Sequence, residues 1–116
     1  MAKRIMQVQG FDGVVTLLSD RVVIERPGAW NFFKYGFNSK REIPLSAVSE
    51  VVLKPPLLLG MGSIEFVRMG RSENERLKTN YSLVKFKKLN YHNFEMLKEK
   101  IFEIMDEYAH QTHKMN

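Results

Sequence analysis

Cysteine is absent from the 116-residue chain, and so are long apolar runs and long runs of like charge. Without cysteine there is no disulfide scaffold, thiolate zinc site or cysteine nucleophile, which suits a reducing compartment. No stretch approaches the roughly eighteen consecutive apolar residues of a membrane-spanning helix. Residues 1–7 are basic but lack the apolar segment of a secretory signal, so we expect a cytoplasmic location.

Residues able to act as an acid or base near neutral pH are also scarce. Two of the three histidines, His110 and His113, fall close to the C-terminus, and their i, i+3 spacing lacks an obvious third metal ligand. The segment Gly60-Met61-Gly62 lacks the lysine of a phosphate-binding loop and indicates a turn or bulge between strands. We therefore expect a protein that is not an enzyme, with no catalytic residues, metal, cofactor or small-molecule substrate.

The composition is that of one globular domain spanning residues 1–116. Hydrophobic residues make up 44% of the chain and charged residues 27%, so a single core can form without disulfides or metals. The net charge of +5 is unevenly distributed. Residues 1–90 carry fifteen Lys or Arg against eight Asp or Glu, whereas residues 91–116 carry three against five. A basic body of this kind favours association with phosphate-rich partners.

Short segments rich in β-branched and aromatic residues predict a series of strands between about residues 5 and 88. The clearest is a hairpin in which residues 14–18 and 21–26 flank the two-residue link Ser19-Asp20. Further strands are predicted at residues 40–45, 50–54, 63–68 and 81–86.

From about residue 91 the hydrophobic period changes to three and four residues. One face of an amphipathic helix over about residues 91–110 therefore carries Phe94, Leu97, Ile101, either Ile104 or Met105, and Tyr108, and residues 111–116 are expected to fray. Strands followed by one such helix predict a small curved sheet or barrel with an end that the helix covers.

The order of several segments resembles the short bacterial pleckstrin-homology-like (PH-like) domains, a family of mostly unassigned function. The segments are residues 13–17 (GVVTL), 20–24 (DRVVI), 40–48 (KREIPLSAV), 51–55 (VVLKP) and 62–66 (GSIEF). The most specific piece is Ile43-Pro44-Leu45, followed by Val48, Val51 and Lys54-Pro55. The likeness continues through Val84-Lys85-Phe86 into the helix, so it spans nearly the whole chain.

The resemblance implies a mainly β, PH-like barrel of about seven antiparallel strands in two orthogonal sheets, capped by one C-terminal α-helix. PH-like folds bind lipid headgroups, dock peptides or proteins, or form oligomers, and the fold alone does not choose among these functions. The family brings no catalytic motif. Residues 27–39 depart from the family pattern, because this loop is longer and far more aromatic.

The aromatic loop, residues 29–39, is the first candidate binding site. With its flanking basic side chains it offers Trp30, Phe32, Phe33, Tyr35, Phe37, Lys34, Lys40 and Arg41. Aromatic and basic groups in this mixture anchor protein partners, stack on nucleic-acid bases or insert at a membrane interface. The alternative is an extra hairpin whose alternate rings complete the core.

Two further sets of residues are candidates for binding. A secondary apolar contact comprises Leu57, Leu58, Leu59 and Met61, which either meet another subunit or partner, or form a compact turn that folds back over the barrel mouth. A basic face comprises Arg71, Arg76, Lys78, Lys85, Lys87 and Lys88, which either binds phosphates or is simply solvated. Glu73 and Glu75 dilute its charge.

These features favour a non-enzymatic docking module. The first hypothesis is a protein partner or a homo-oligomer, held through the aromatic loop with its rings at the centre and basic residues at the rim. The first alternative is an anionic lipid headgroup or membrane surface, bound by the same loop and the basic body. The second alternative is nucleic-acid binding through the side that carries Lys85, Lys87 and Lys88.

Overall fold

A computed structural model of the chain describes residues 3–26, 40–58, 60–68 and 82–114, with side chains described as far as residue 109. Within these ranges the protein is mainly β, with two antiparallel sheets of four and three strands and one C-terminal helix. The predicted fold class is confirmed at this level. The strand pairing describes two separate sheets rather than one closed sheet.

The first sheet contains four consecutive strands in the order in which they occur along the chain. They are β1 (Arg4–Gln9), β2 (Val14–Leu18), β3 (Arg21–Glu25) and β4 (Lys40–Pro44). The predicted hairpin is confirmed as β2 and β3, in which Val15 lies opposite Ile24 and Leu17 opposite Val22. These four side chains are fully buried, as expected when residues of period two share the inner face.

A short 3-10 helix, Leu45–Ala47, leads from the first sheet into the second. The second sheet has the order β5 (Val48–Lys54), β6 (Gly62–Arg68) and β7 (Leu83–Phe86), close to three of the predicted strands. Both β5 and β7 pair antiparallel with β6. As a result the chain leaves β5, enters β6 and leaves β7 at the same end of this sheet.

The helix α1 (Tyr91–Lys114) follows a 3-10 helix at Lys88–Asn90. It extends four residues beyond the predicted end because residues 109–114 contain neither glycine nor proline to stop it. Four members of the predicted apolar face, Phe94, Leu97, Ile101 and Ile104, are buried. Tyr108 is 44% exposed, and its hydroxyl donates to the carbonyl of Ser19 at 2.7 Å.

One hydrophobic core lies between the sheets and the helix, with buried residues from every strand and from α1. At its centre the rings of Phe86 on β7 and Phe94 on α1 stack, with centroids 4.4 Å apart. The turn between β1 and β2 also meets β7. The amide of Phe11 donates to the carbonyl of Lys85 at 2.7 Å, and the amide of Lys85 donates to Asp12 Oδ1 at 2.8 Å. These bonds link the two sheets at one corner.

Gly62 illustrates how tightly this corner is packed. A Cβ atom there would lie 2.5 Å from Phe86 Cε1 and 2.6 Å from the carbonyl oxygen of Lys54. Because neither the stacked ring nor the strand backbone can retreat freely, we expect Gly62→Ala to lower the free energy of unfolding by about 1–3 kcal/mol, measured by urea denaturation. The control is Gly60→Ala, whose Cβ has only Leu57 Cβ nearby, at 3.9 Å. Equal effects of the two substitutions would contradict this account.

Candidate docking surface

The connection between β5 and β6 carries exposed leucines. Leu57 and Leu58 are 79% and 95% exposed, and Met61 is 43% exposed. The turn is closed by the amide of Gly60, which donates to the carbonyl of Leu57 at 3.2 Å. The interpretation of this segment as a turn folded back over the barrel mouth is therefore wrong for Leu57 and Leu58, whose side chains face solvent. Leu59 lies outside the described residues.

Two lysines stand on the sheet beside these leucines. In the register of the second sheet, Lys54 lies opposite Ser63 and Ser63 lies opposite Lys85. Directly opposed residues in antiparallel strands project to the same face, so Lys54 and Lys85 flank Ser63 in one row. Both lysines are exposed. The row lies at the end of the sheet where β5 ends and the turn that carries Leu57 and Leu58, the leucine turn, begins.

The turn between β1 and β2 adds an aromatic ring to the same end. Phe11 is 58% exposed, and its backbone is held against β7 by its bond to the carbonyl of Lys85. The ammonium of Lys87 lies 5.4 Å from the centroid of the Phe11 ring, within the range of a cation–π interaction. This contact holds a cation beside an exposed apolar group.

The connection from β7 to α1 adds a leucine and a lysine to this end of the molecule. Leu89 is 90% exposed and lies in the 3-10 helix next to Lys88, which is also exposed. We call the whole surface the leucine end. It comprises Phe11, Leu57, Leu58, Met61 and Leu89 with Lys54, Lys85, Lys87 and Lys88.

The leucine end carries positive charges and one carboxylate. The segments that form it, residues 10–12, 54–62 and 85–89, contain four lysines and one carboxylate, Asp12. Asp12 already accepts the backbone amide of Lys85. Scattered exposed apolar residues are ordinary on protein surfaces, but several at the same end of the molecule as four lysines make this end a candidate docking surface.

Only some of the predicted site residues lie within the described ranges. Outside the described residues lie Trp30, Phe32, Phe33, Lys34, Tyr35, Phe37, Leu59, Arg71, Arg76 and Lys78. Lys40 and Arg41 begin β4, where Lys40 is exposed and Arg41 is half-buried. Lys85, Lys87 and Lys88 lie at the same end of the second sheet as the predicted leucine contact. In the sequence these two sets of residues are separate candidates.

Sequence reasoning missed three members of the leucine end, namely Phe11, Lys54 and Leu89. Phe11 follows a turn glycine, and Leu89 follows the basic run Lys85-Phe86-Lys87-Lys88, so each is an apolar residue in a polar connection. That is a weak signal by itself. Their grouping depends on contacts between distant parts of the chain, such as the bond that joins Asp12 to Lys85.

The described residues include neither a cluster of metal ligands nor a membrane-spanning helix. In residues 3–26, 40–58, 60–68 and 82–109, no three His, Cys, Asp or Glu side chains are grouped so as to hold a metal ion. Within the described ranges, no helix has both the length and the apolar content that a membrane span requires. Comparisons with protein-family models, curated proteins and solved structures give no match to this chain. Function is therefore inferred from the surface itself.

Proposed function

We propose that this chain is a non-enzymatic docking module that binds anionic membrane surfaces through the leucine end. The observation that carries the proposal is the exposure of Leu57, Leu58 and Leu89, at 79%, 95% and 90%, at the end of the molecule that also bears four lysines. Water is a poor environment for such leucines. The boundary between lipid headgroups and acyl chains accepts apolar side chains and cations together.

Two physical contributions combine at this surface. Removing a leucine side chain from water yields up to about 1.5–3 kcal/mol when burial is complete, and less at an interface. A lysine close to an anionic leaflet contributes about 1 kcal/mol. Stable attachment to a bilayer generally needs two such signals, and the leucine end provides both. The lysine stems can also lie along the apolar side chains while the ammonium groups reach the phosphates.

The composition of the surface favours a bilayer over a protein or a nucleic acid. Protein interfaces are enriched in Tyr, Trp and Arg and depleted in Lys at their centres, whereas the leucine end consists mostly of Leu and Lys. Nucleic acid would use the lysines but would leave the leucines in water. Docking of a protein partner or second copy through Trp30 and the rest of the aromatic loop stays a prediction, because that loop lies outside the described residues.

We infer that the two sheets form the PH-like barrel implied by the resemblance, with orthogonal sheets and α1 across one end. The bonds from Phe11 and Asp12 to Lys85 support this, because they tie β7 to the first sheet. A cytoplasmic protein of this kind would meet the inner leaflet, whose anionic lipids attract lysine-rich surfaces.

Co-sedimentation with lipid vesicles tests the proposal. We expect binding to vesicles that contain phosphatidylserine, weaker binding at high salt, and little binding to vesicles of phosphatidylcholine alone. Absence of binding to anionic vesicles at low salt would overturn the proposal. If concentration-dependent self-association or a protein complex were found instead, and the leucine end were shown to mediate it, the occupant of this surface would be a protein.

The lysines of the leucine end should account for much of the affinity. We expect Lys87→Gln with Lys88→Gln to weaken binding to anionic vesicles roughly 30-fold, from about 1 kcal/mol for each lysine. The matched control is Lys3→Gln with Lys100→Gln. It makes the same change of charge at the start of β1 and along α1, away from the leucine end. If the control lost as much affinity, net charge rather than this surface would be responsible.

A further inference from the structure

The leucine end contains one side chain that oxidation converts from apolar to polar. Met61 follows the leucine turn and is 43% exposed, so its thioether is open to small oxidants in water. Its backbone is held in place, because the next residue, Gly62, pairs with Phe86 in the second sheet. A Cβ atom at Gly62 would lie 2.5 Å from Phe86 Cε1, so this end of β6 has little room to shift. Met61 therefore stays on the surface that would meet a bilayer.

The other methionines whose side chains the structure describes differ from Met61 in exposure or in location. Met6 and Met105 are partly buried and pack against the core. Met96 is 46% exposed, but it lies on α1 directly after Glu95, whose carboxylate an anionic leaflet would repel. Among these described methionines, Met61 combines an exposed thioether with a place on the leucine end.

Hydrogen peroxide converts an exposed thioether into a sulfoxide. A lone pair of the Met61 sulfur attacks one oxygen of the peroxide, the O–O bond breaks, and the second oxygen leaves as water after proton transfer. The sulfur loses the two electrons that the peroxide gains. Methionine sulfoxide reductases restore the thioether with two electrons from thiols, so the modification is reversible.

The sulfoxide opposes the membrane contact. A thioether side chain gains free energy when it leaves water, whereas a sulfoxide oxygen accepts hydrogen bonds from water and loses them among acyl chains. Stable attachment needs an apolar contribution together with the electrostatic one. Oxidation weakens the first and leaves the charge of the four lysines unchanged.

We propose that Met61 is a site of reversible oxidation by peroxide, and that its sulfoxide weakens the attachment of the protein to anionic membranes. The inference rests on the proposed membrane contact and adds a means of regulating it. Because the lysines keep their charge, oxidation lowers the affinity for the bilayer and preserves the preference for anionic lipid.

Vesicle co-sedimentation before and after peroxide treatment tests this inference, with peptide mass spectrometry to verify that Met61 has gained one oxygen. We expect the oxidised protein to bind phosphatidylserine-containing vesicles about threefold to tenfold more weakly. Met61 is less exposed than Leu57 or Leu58, so its modification should cost no more than the loss of one leucine. Treatment with methionine sulfoxide reductases should restore binding.

Substitutions at the two exposed methionines provide matched controls. Met61→Leu keeps an apolar side chain without sulfur, so it should bind like the untreated wild type and retain that binding after peroxide treatment. It contains every other methionine of the chain and thus reports the effect of their oxidation. Met96→Leu should respond to peroxide as the wild type does. Met61→Gln, with a polar side chain of similar length, should bind as weakly as the oxidised wild type without any peroxide.

Four results would overturn the inference and leave the proposed membrane function intact. They are vesicle binding that survives complete oxidation of Met61, an equal loss by peroxide-treated Met61→Leu, wild-type affinity in Met61→Gln, and a Met61 that stays unmodified while Met96 is oxidised. Absence of binding by the untreated wild type would instead remove both proposals. An unchanged far-UV circular dichroism spectrum after treatment verifies that each protein is folded.

Discussion

Replacing Leu57 and Leu58 together with serine is expected to weaken binding to anionic vesicles roughly 100-fold. Partial burial of each leucine at the bilayer interface is assigned about 1.4 kcal/mol, or tenfold in affinity, which is slightly below the range for complete burial. Both side chains face solvent in the free protein, at 79% and 95% exposure. Their removal should therefore change the free energy of unfolding by no more than about 0.5 kcal/mol.

Vesicle co-sedimentation at several lipid concentrations measures the loss. The matched control is Phe102→Ser, which removes an apolar side chain that is 45% exposed on α1, outside the leucine end. The control should bind vesicles like the wild type. The binding that remains in the leucine variant should be more sensitive to salt, because only the lysines still contribute. If the leucine variant bound as tightly as the wild type, the apolar part of the mechanism would be wrong.

Phe94→Ala is expected to lower the free energy of unfolding by about 3–5 kcal/mol, a large share of the roughly 5–15 kcal/mol that stabilises most domains. The Phe94 ring is fully buried and stacks on Phe86 with an interplanar angle of 13°. Phe86 also stacks on Tyr91, with centroids 6.0 Å apart, so one ring of β7 holds the first turn of α1. The substitution leaves a cavity where the helix meets the second sheet.

Urea denaturation of Phe94→Ala and Phe102→Ala compares the same substitution eight residues apart on one helix. Phe102 is 45% exposed, and its ring lies 5.4 Å from the ammonium of Lys98. Its loss should cost about 1 kcal/mol or less. Similar losses for the two variants would mean that α1 does not pack through the face that carries Phe94, Leu97 and Ile101.

Sequence patterns predicted the hairpin and the helix, because the residues that form each of these elements lie close together along the chain. Two β-branched runs on either side of Ser19-Asp20 identify the hairpin of β2 and β3, and the spacing of Phe94, Leu97 and Ile101 identifies the buried face of α1. The first strand has a weaker pattern. In β1 only Val8 is buried, and the polar residues beside it give no clear alternation.

The leucine end was harder to predict because it is assembled from connections. Periodicity gives the faces of strands and helices, but it does not say whether the leucines between β5 and β6 fold inward or project outward. The bond between Asp12 and Lys85 joins residues that are 73 positions apart, and no local pattern contains it. Phe11 and Leu89 are isolated apolar residues in the sequence, and only the pairing of β7 brings them to one end.

The contact between the leucine end and a bilayer can be measured with a nitroxide spin label, since the chain has no cysteine and a single substitution labels one position. Gly60→Cys places the label in the leucine turn without removing a leucine, and Asp20→Cys places it in the turn between β2 and β3 as the control. With anionic vesicles, the label at position 60 should become shielded from a water-soluble relaxation agent, and the label at position 20 should stay accessible. Equal accessibility at both positions, while the protein sediments with the vesicles, would contradict membrane docking through the leucine end.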